Sequence, residues 1–239
     1  VRYSLTLFIM TPLELVPTED HSFTLYHPQL KTHYHSLYGA LGESIYVYIE
    51  CSLLIQRLQA GDNVNILEIG LGTGLNFLLT FGKVKQNPNA SLHYTAYEPF
   101  PPDPTLLRAY YHSTGKLLTD LTETDLLSLI PELHPETATS TQFLNMSWNF
   151  CWEKWSPERI TPNTYDIIYY DAFGPFTAPE LWTEECLLSA YDGLKNKGRL
   201  VTFSINSNTR RILEKYSLNF ERPKGFARKR EMLIVEKGY

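Results

Sequence analysis

Several features that mark large protein classes are scarce in this chain. Its 239 residues hold three cysteines, Cys51, Cys151 and Cys186, with no C-x-x-C pair. That argues for a reducing compartment and against a disulfide framework or a zinc site. No apolar run is long enough to cross a bilayer. "YSLTLFIM", residues 3–10, is too short for a secretory signal and is expected to be a first strand or a docked arm. Positive charge is not in excess: 21 Lys and Arg against 26 Asp and Glu leave a net −5, so a nucleic-acid partner would need a local basic patch. Internal repeats, low-complexity segments and evident linkers are missing too. "HSTGK" lacks the upstream glycine of a phosphate loop. His27, His33 and His35 have no cysteine or paired carboxylate at ligand spacing, so they read as loop histidines and no metal is expected. The expectation is a soluble, cytoplasmic protein.

What the chain does have is core-forming material: 43% hydrophobic residues, with sixteen Tyr and twelve Phe. That suits a single compact domain, with residues 1–60 as an N-terminal extension and helix on the substrate side and residues 61–239 as the main unit. Residues 43–59, "ESIYVYIECSLLIQRLQ", carry apolar side chains at a helical period. "VNILEIG" is a short buried strand, and a glycine turn leads from it into the helix "LNFLLTFGKVKQ". "SLHYTAYEP" is a second strand. Helical text over residues 105–135 could form an inserted lobe. "STQFLNM" reads as a third strand, "TYDIIYYDAF" as a fourth and "GRLVTFS" as a fifth, with the helix "TEECLLSAYDGL" capped by Thr183 between the last two. After the helix "NTRRILEKY", two closing strands flank a basic turn. Strands alternating with helices imply an α/β fold with a mainly parallel sheet, and the close implies an antiparallel C-terminal strand pair.

The chemistry gathers at strand ends. Gly70, Gly72 and Gly74 follow the first strand and open a helix, the setting of a nucleotide-binding turn. Their G-x-G-x-G spacing departs from the dinucleotide G-x-G-x-x-G. Glu68, two residues earlier, is expected to point a carboxylate into the ligand crevice, which suits a cationic cofactor better than a pyrophosphate. Glu98 closes the second strand, where it can accept hydrogen bonds from ribose hydroxyls. Asp171 closes the fourth strand, before the Gly-Pro-Phe-Thr-Ala-Pro loop in which Phe173, Pro175, Phe176 and Pro179 would wall the crevice.

"E-x-G-x-G-x-G" after strand one, with an acid ending strand two, resembles the Rossmann-like S-adenosylmethionine-dependent methyltransferases. Four blocks resemble the methyltransferase domain of the MnmC family in particular: "TLYHPQLKTHYHSLYGALGES", "ILEIGLGTGLNFLL", "YDIIYYDAFGPFTAPELWTEE" and "RRILEKYSLNFERPKGFARKREML". The resemblance implies S-adenosyl-L-methionine as cofactor and the aminomethyl group of 5-aminomethyl-2-thiouridine, a modified wobble uridine in a tRNA anticodon stem-loop, as methyl acceptor. It is to the stand-alone methyltransferase form, with a separate flavin oxidase as a possible upstream partner. Glu68, Gly70, Gly72, Gly74, Asn76, Glu98 and Asp171 are the cofactor residues it implies. Related enzymes often have an acid after strand three to hold the adenine amino group; this chain departs from that, offering Asn145 and Ser147 in "FLNMSWNF", and Asn145 is the adenine candidate. Asp171 is the catalytic candidate, orienting the amine and accepting or relaying its proton. Tyr26 and Glu43 would line the entrance, Phe173 and Phe176 would meet the base, and Arg210, Arg211, Lys224, Arg228, Lys229 and Arg230 would meet RNA phosphates. An aminopropyltransferase of the spermidine-synthase kind and a non-catalytic nucleotide- or RNA-binding protein are the alternatives.

Overall fold

The structure is a computed structural model and describes residues 12–238; the arm expected at residues 3–10 lies outside them. An antiparallel sheet comes first, β1 (Glu14–Pro17), β2 (Phe23–His27) and β3 (Thr32–His33), in that spatial order. Strands this short were not visible as strands in the sequence. The helical pattern of residues 43–59 is not one helix. It breaks into α1 (Ala40–Ser44), a π-helical stretch (Ile45–Glu50) and α2 (Leu54–Gln59). Ser52 explains the break. Its hydroxyl bonds the Tyr48 carbonyl at 2.6 Å and accepts from the Leu54 amide, competing with the helical ladder. Leu53 then turns left-handed at φ 61° before α2 starts.

The main sheet is built from β4 (Asn63–Ile69), β5 (Ser91–Tyr97), β6 (Gln142–Phe143), β7 (Met146–Cys151), β8 (Tyr165–Tyr170), β9 (Leu194–Thr202), β10 (Phe220–Glu221) and β11 (Leu233–Glu236). Their order is β10-β11-β9-β8-β4-β5-β7-β6, with β7, β5, β4, β8 and β9 mutually parallel. β11 runs antiparallel to β9 and to β10, as the closing sequence implied. Strand three is a correction. "STQFLNM" is not one strand: Leu144 is left-handed at φ 55°, so β6 and β7 form a tight hairpin and the parallel strand starts only at Met146.

The central strands are buried on both faces, which is why they read as continuous apolar runs. Alternate residues serve different cores. Ile66, Ile167, Tyr169 and Val201 belong to one, and Leu67, Ile168, Tyr170 and Leu200 to the other. On the first face lie α3 (Leu75–Lys85), α4 (Pro104–Thr114) and α5 (Glu123–Leu129); on the second, α6 (Glu184–Gly193) and α7 (Ser207–Lys215). The helical middle is therefore no separate lobe, because Leu107, Tyr110, Tyr111, Leu129 and Leu133 are buried in the first core. Most helix starts are capped: Asp103 serves α4, a Thr122–Asp125 capping box α5, Thr183 α6 and Asn206 α7. The N-terminus of α3 follows Gly74 and has no side-chain cap.

Candidate active site

From β4 the chain moves outward through β5 to β7, then returns to place β8 and β9 on the other side of β4. Strand order thus reverses between β4 and β8, where open α/β sheets bind ligands outside the strands' carboxyl ends. Gly70 leaves β4 there and Asp171 leaves β8 there. They are so close that a Cβ on Gly70 would lie 2.8 Å from the Asp171 carbonyl oxygen. Gly70 also has φ +94°, a conformation that side chains rarely adopt, so both backbone and space demand glycine.

A cavity of about 270 Å³ opens at this point. Gly70, Gly72, Asn76, Glu98, Asp171 and Phe173, all read from the sequence, line it. Glu98 is nearly buried and accepts the Gly72 amide at 2.8 Å and the Phe100 amide at 2.9 Å, one on each oxygen. Burial raises its pKa against those two bonds. Its remaining lone pairs can receive hydroxyl donors.

Asp171 is held from two sides. Tyr48 donates its hydroxyl to Oδ1 at 2.5 Å, and Asn76 donates its amide to Oδ2 at 2.8 Å. Burial pushes the carboxyl up to about 7; the Tyr48 bond lowers it, the Glu43 charge raises it, and Asn76 and Lys229 lower it. The same Asn76 amide reaches Glu68 at 2.8 Å, while its Oδ1 is buried without a partner. An acceptor left unsatisfied in a cavity wall, beside the Asp171 carboxyl group, suits a ligand with a cationic N–H head. With Glu98 able to receive hydroxyls, the lining fits S-adenosyl-L-methionine, which carries an ammonium, a sulfonium and a ribose diol.

Other expected residues fall elsewhere. Glu68 does not face the cavity. Its side chain turns to the α3 face, fully buried, and accepts from Asn76 and from Tyr94 at 2.9 Å. Burial, and then the Asp171 charge, raises its pKa well above the carboxylate range. Gly74 does not line the cavity either; it turns the chain into α3 at φ +78° under the Leu133 side chain. Asn145 sits at the amino end of β7, the opposite end of the sheet, and bonds the Ala90 carbonyl at 2.5 Å, so it cannot contact an adenine in this cavity. At the correct end, Lys154 and Trp155 line the cavity. Tyr26 packs against His33, the rings tilted by 39° with centroids 4.8 Å apart, away from the lining. Glu43 is buried, accepts the Ser36 amide at 2.9 Å and pairs with Lys229. Lys229 therefore turns inward over the Phe203 ring, at 4.2 Å, and is no phosphate ligand. Of the proline loop, Phe173 lines the cavity edge-on to Tyr34 at 5.0 Å, whereas Pro175 and Pro179 are outside the lining and Phe176 is 98% exposed.

Arg210, Arg211, Lys224, Arg228 and Arg230 are exposed. Arg210 pairs with Glu214 at 3.1 Å, Arg211 bonds Asn208 at 2.8 Å, and Arg228 lies 4.8 Å over the Tyr38 ring. α7 follows the carboxyl end of β9, and the 222–231 turn precedes β11 where Leu233 pairs Thr202. Both basic segments are thus at the cavity end of the sheet.

Missed in the sequence, besides Lys154 and Trp155, were Tyr48, Tyr34 and His35. Tyr48 is buried on the π-helical stretch, and Tyr34 and His35 line the cavity from the loop after β3. Burial holds His35 down to about 4, so it is neutral. "TLYHPQLKTHYHSLYGALGES", one of the blocks that carried the resemblance, contained the last two.

Comparison with known proteins bears on the family and the fold. Residues 153–237 match a family model described as S-adenosyl-L-methionine-dependent methyltransferase. The bifunctional protein MnmC of tRNA 5-methylaminomethyl-2-thiouridine biosynthesis is similar in several bacteria. The Leptospira interrogans protein (strain Fiocruz L1-130) is 30% identical over 226 residues, covering 91% of this chain and 34% of that protein. The Actinobacillus pleuropneumoniae protein (serotype 5b, strain L20) is 29% identical over 228 residues, covering 85% and 32%. The chain thus spans about a third of the length of these curated relatives. The crystal structure of MNMC2 from Aquifex aeolicus superposes with a TM-score of 0.71 at 22% identity, covering 94% of this chain and 70% of that one. The Rossmann-like methyltransferase fold is borne out, as is the resemblance to the MnmC family over most of the chain.

Proposed function

We propose that this chain, similar through most of its length to MnmC proteins, is an S-adenosyl-L-methionine-dependent methyltransferase. Its acceptor is the aminomethyl nitrogen of 5-aminomethyl-2-thiouridine at the tRNA wobble position. One observation carries the reading: the glycine turn, Glu98 and the Asn76–Asp171 pair converge on one cavity at the reversal of strand order. When bound, S-adenosyl-L-methionine would supply a methyl group on a positive sulfonium, so that an amine lone pair would form the new N–C bond as the C–S bond breaks and a neutral thioether leaves.

The chain's own groups do the rest. Gly70 and Gly72 let the backbone lie against the donor, Glu98 receives its ribose hydroxyls, and the Asn76 oxygen receives its ammonium. Asp171 accepts a hydrogen bond from the attacking nitrogen and so aims its lone pair. A free alkylamine is mostly protonated at neutral pH, its pKa being near that of lysine at about 10. A carboxyl group titrating near 7 is suited to receive the proton that the nitrogen must lose. Phe173 and Tyr34, edge-on to each other, line the same cavity and narrow the space open to water beside a bound donor.

Nucleoside mass spectrometry tests the reading. The purified chain is incubated with S-adenosyl-L-methionine and tRNA bearing the unmethylated aminomethyl nucleoside. Gain of one methyl mass on that nucleoside is expected. Unchanged tRNA rejects the reading, and gain of an aminopropyl mass from a decarboxylated donor with a free polyamine would support the aminopropyltransferase instead.

A further inference from the structure

The loop after β8 holds one of its two phenylalanines in water. Phe176 is 98% exposed, although its neighbours Phe173, Thr177 and Ala178 line the cavity. Full burial of such a ring contributes roughly 1.5–3 kcal/mol, so a mobile loop would fold it inward. This loop is not free to do so. The Gly174 carbonyl accepts the Thr177 amide at 2.8 Å and the Ala178 amide at 3.0 Å, closing a turn with Phe176 near its apex. Trp182, itself buried, donates its indole N–H to the Phe173 carbonyl at 2.8 Å. Tyr170 donates to the Leu181 carbonyl, and Pro175 and Pro179 restrict the backbone between. Both ends of the turn are anchored, and the ring is presented outward at the cavity mouth.

The loop is linked to the basic turn of residues 222–231. A Cβ on Gly174 would lie 3.6 Å from Ser204 Oγ, and the adjacent Phe203 carries Lys229 over its ring. Lys229 belongs to the turn that exposes Lys224, Arg228 and Arg230. An outward aromatic and a set of exposed cations are therefore at the same end of the sheet, linked through Ser204, Phe203 and Lys229. That pairing fits single-stranded nucleic acid, in which bases stack on aromatic rings while cations follow the backbone.

Asp171 lies inside the cavity, at the end of β8. A nucleobase bearing the acceptor amine can reach it only by leaving the stack of its own loop, and unstacking costs a few kcal/mol. We propose that Phe176 is a wedge: its ring stacks on the base next to the extruded one and fills the gap that extrusion leaves. The proposal rests on the RNA reading given above and adds the residue that holds the loop open. The anchored turn means that little conformational freedom is lost when RNA binds.

The test uses the full chain and an anticodon stem-loop RNA that carries 5-aminomethyl-2-thiouridine, with 2-aminopurine as the neighbouring base. Stacking of one base on an aromatic ring corresponds to about 5- to 150-fold in binding. Phe176→Ala should lower kcat/KM for this RNA by that factor and should abolish the 2-aminopurine fluorescence change that the wild-type protein produces. Phe176→Trp should keep both, and Phe176→Leu, apolar but without a ring, should behave like the alanine variant. Calorimetric binding of S-adenosyl-L-methionine, equal in all four proteins, checks that the variants are folded. If the wild-type protein methylates the RNA and Phe176→Ala matches it within twofold, the wedge is refuted and the RNA reading survives. If the leucine variant matches wild type, apolar contact rather than stacking is at work and the wedge is again refuted. No methylation by the wild-type protein overturns both.

Discussion

Tyr48→Phe isolates the hydrogen bond that sets the ionisation of Asp171. The variant removes one oxygen from a buried ring and leaves its edge contact with Tyr169, at 5.3 Å, in place. In the wild-type protein the 2.5 Å bond to Asp171 Oδ1 stabilises the carboxylate form. Tyr48 stays a neutral donor over any practical pH range, because burial and then the Asp171 charge raise its own pKa well above the usual tyrosine value. A hydrogen bond to a charged group contributes about 1.5–3 kcal/mol, and one pKa unit is about 1.4 kcal/mol. Losing the bond should therefore move Asp171 from about 7 upward by roughly one to two units. The acid limb of the kcat/KM profile, along which activity rises as Asp171 loses its proton, should shift to higher pH by the same amount. At pH 7 the ionised fraction falls from about one half to between a tenth and a hundredth, a loss of about 5- to 50-fold. Near pH 9 the variant should recover to within about twofold of wild type. Titration of the substrate amine is common to both proteins and cancels in their ratio. A variant whose acid limb coincides with that of wild type would refute the reasoning.

Four further outcomes follow from the geometry. Asp171→Asn should lower methyl transfer about 10²- to 10⁴-fold while stabilising the fold. A carboxyl raised from 3.8 to about 7 binds a proton in the folded state that it has lost in the unfolded state. Wild-type stability therefore falls from about pH 4 to pH 7 relative to the asparagine variant, by about 1–4 kcal/mol at pH 8 in urea melts; a gap independent of pH would contradict this. Gly70→Ala forces a Cβ to 2.8 Å from the Asp171 carbonyl oxygen at φ +94°, and should cost about 1–3 kcal/mol or more, read as a Tm drop of at least roughly 2 °C. Lys229→Met leaves buried Glu43 unpaired and should destabilise by about 2–4 kcal/mol, less than for a fully buried pair because a third of the Lys229 side chain meets solvent. Arg230→Ala should change stability by less than about 0.5 kcal/mol yet weaken RNA binding and flatten its salt dependence, as filter binding at two salt concentrations would show.

Much of this site was legible in one dimension, because position along a buried parallel strand fixes which end a residue occupies. The runs "NILEI" and "DIIYY" located Gly70 and Asp171 at the carboxyl end, and "HYTAY" located Glu98. The face of a strand was harder to read. Glu68 lies on the right strand, yet the pleat turns it toward α3, where Asn76 stands between it and the cavity. Asn145 was misplaced by register: a left-handed Leu144 converts an apparent strand into a hairpin and moves that residue to the far end of the sheet. Tyr48 could not be read from helical periodicity, since a π-helical stretch sets its direction and only Ser52 hints at the disturbance. Lys229 looked like its exposed neighbours because its partner, Glu43, is 186 residues away in the chain.

Calorimetric titration of the purified chain with S-adenosyl-L-methionine, repeated with Glu98→Gln, reaches the central claim most directly. The claim is that the cavity between β4 and β8 holds a cationic donor with its ribose on Glu98. The account predicts one-to-one binding by the wild-type protein and affinity weakened about tenfold or more in the variant, the loss of hydrogen bonds to a charged acceptor. No heat of binding, or equal affinity in the two proteins, would contradict it.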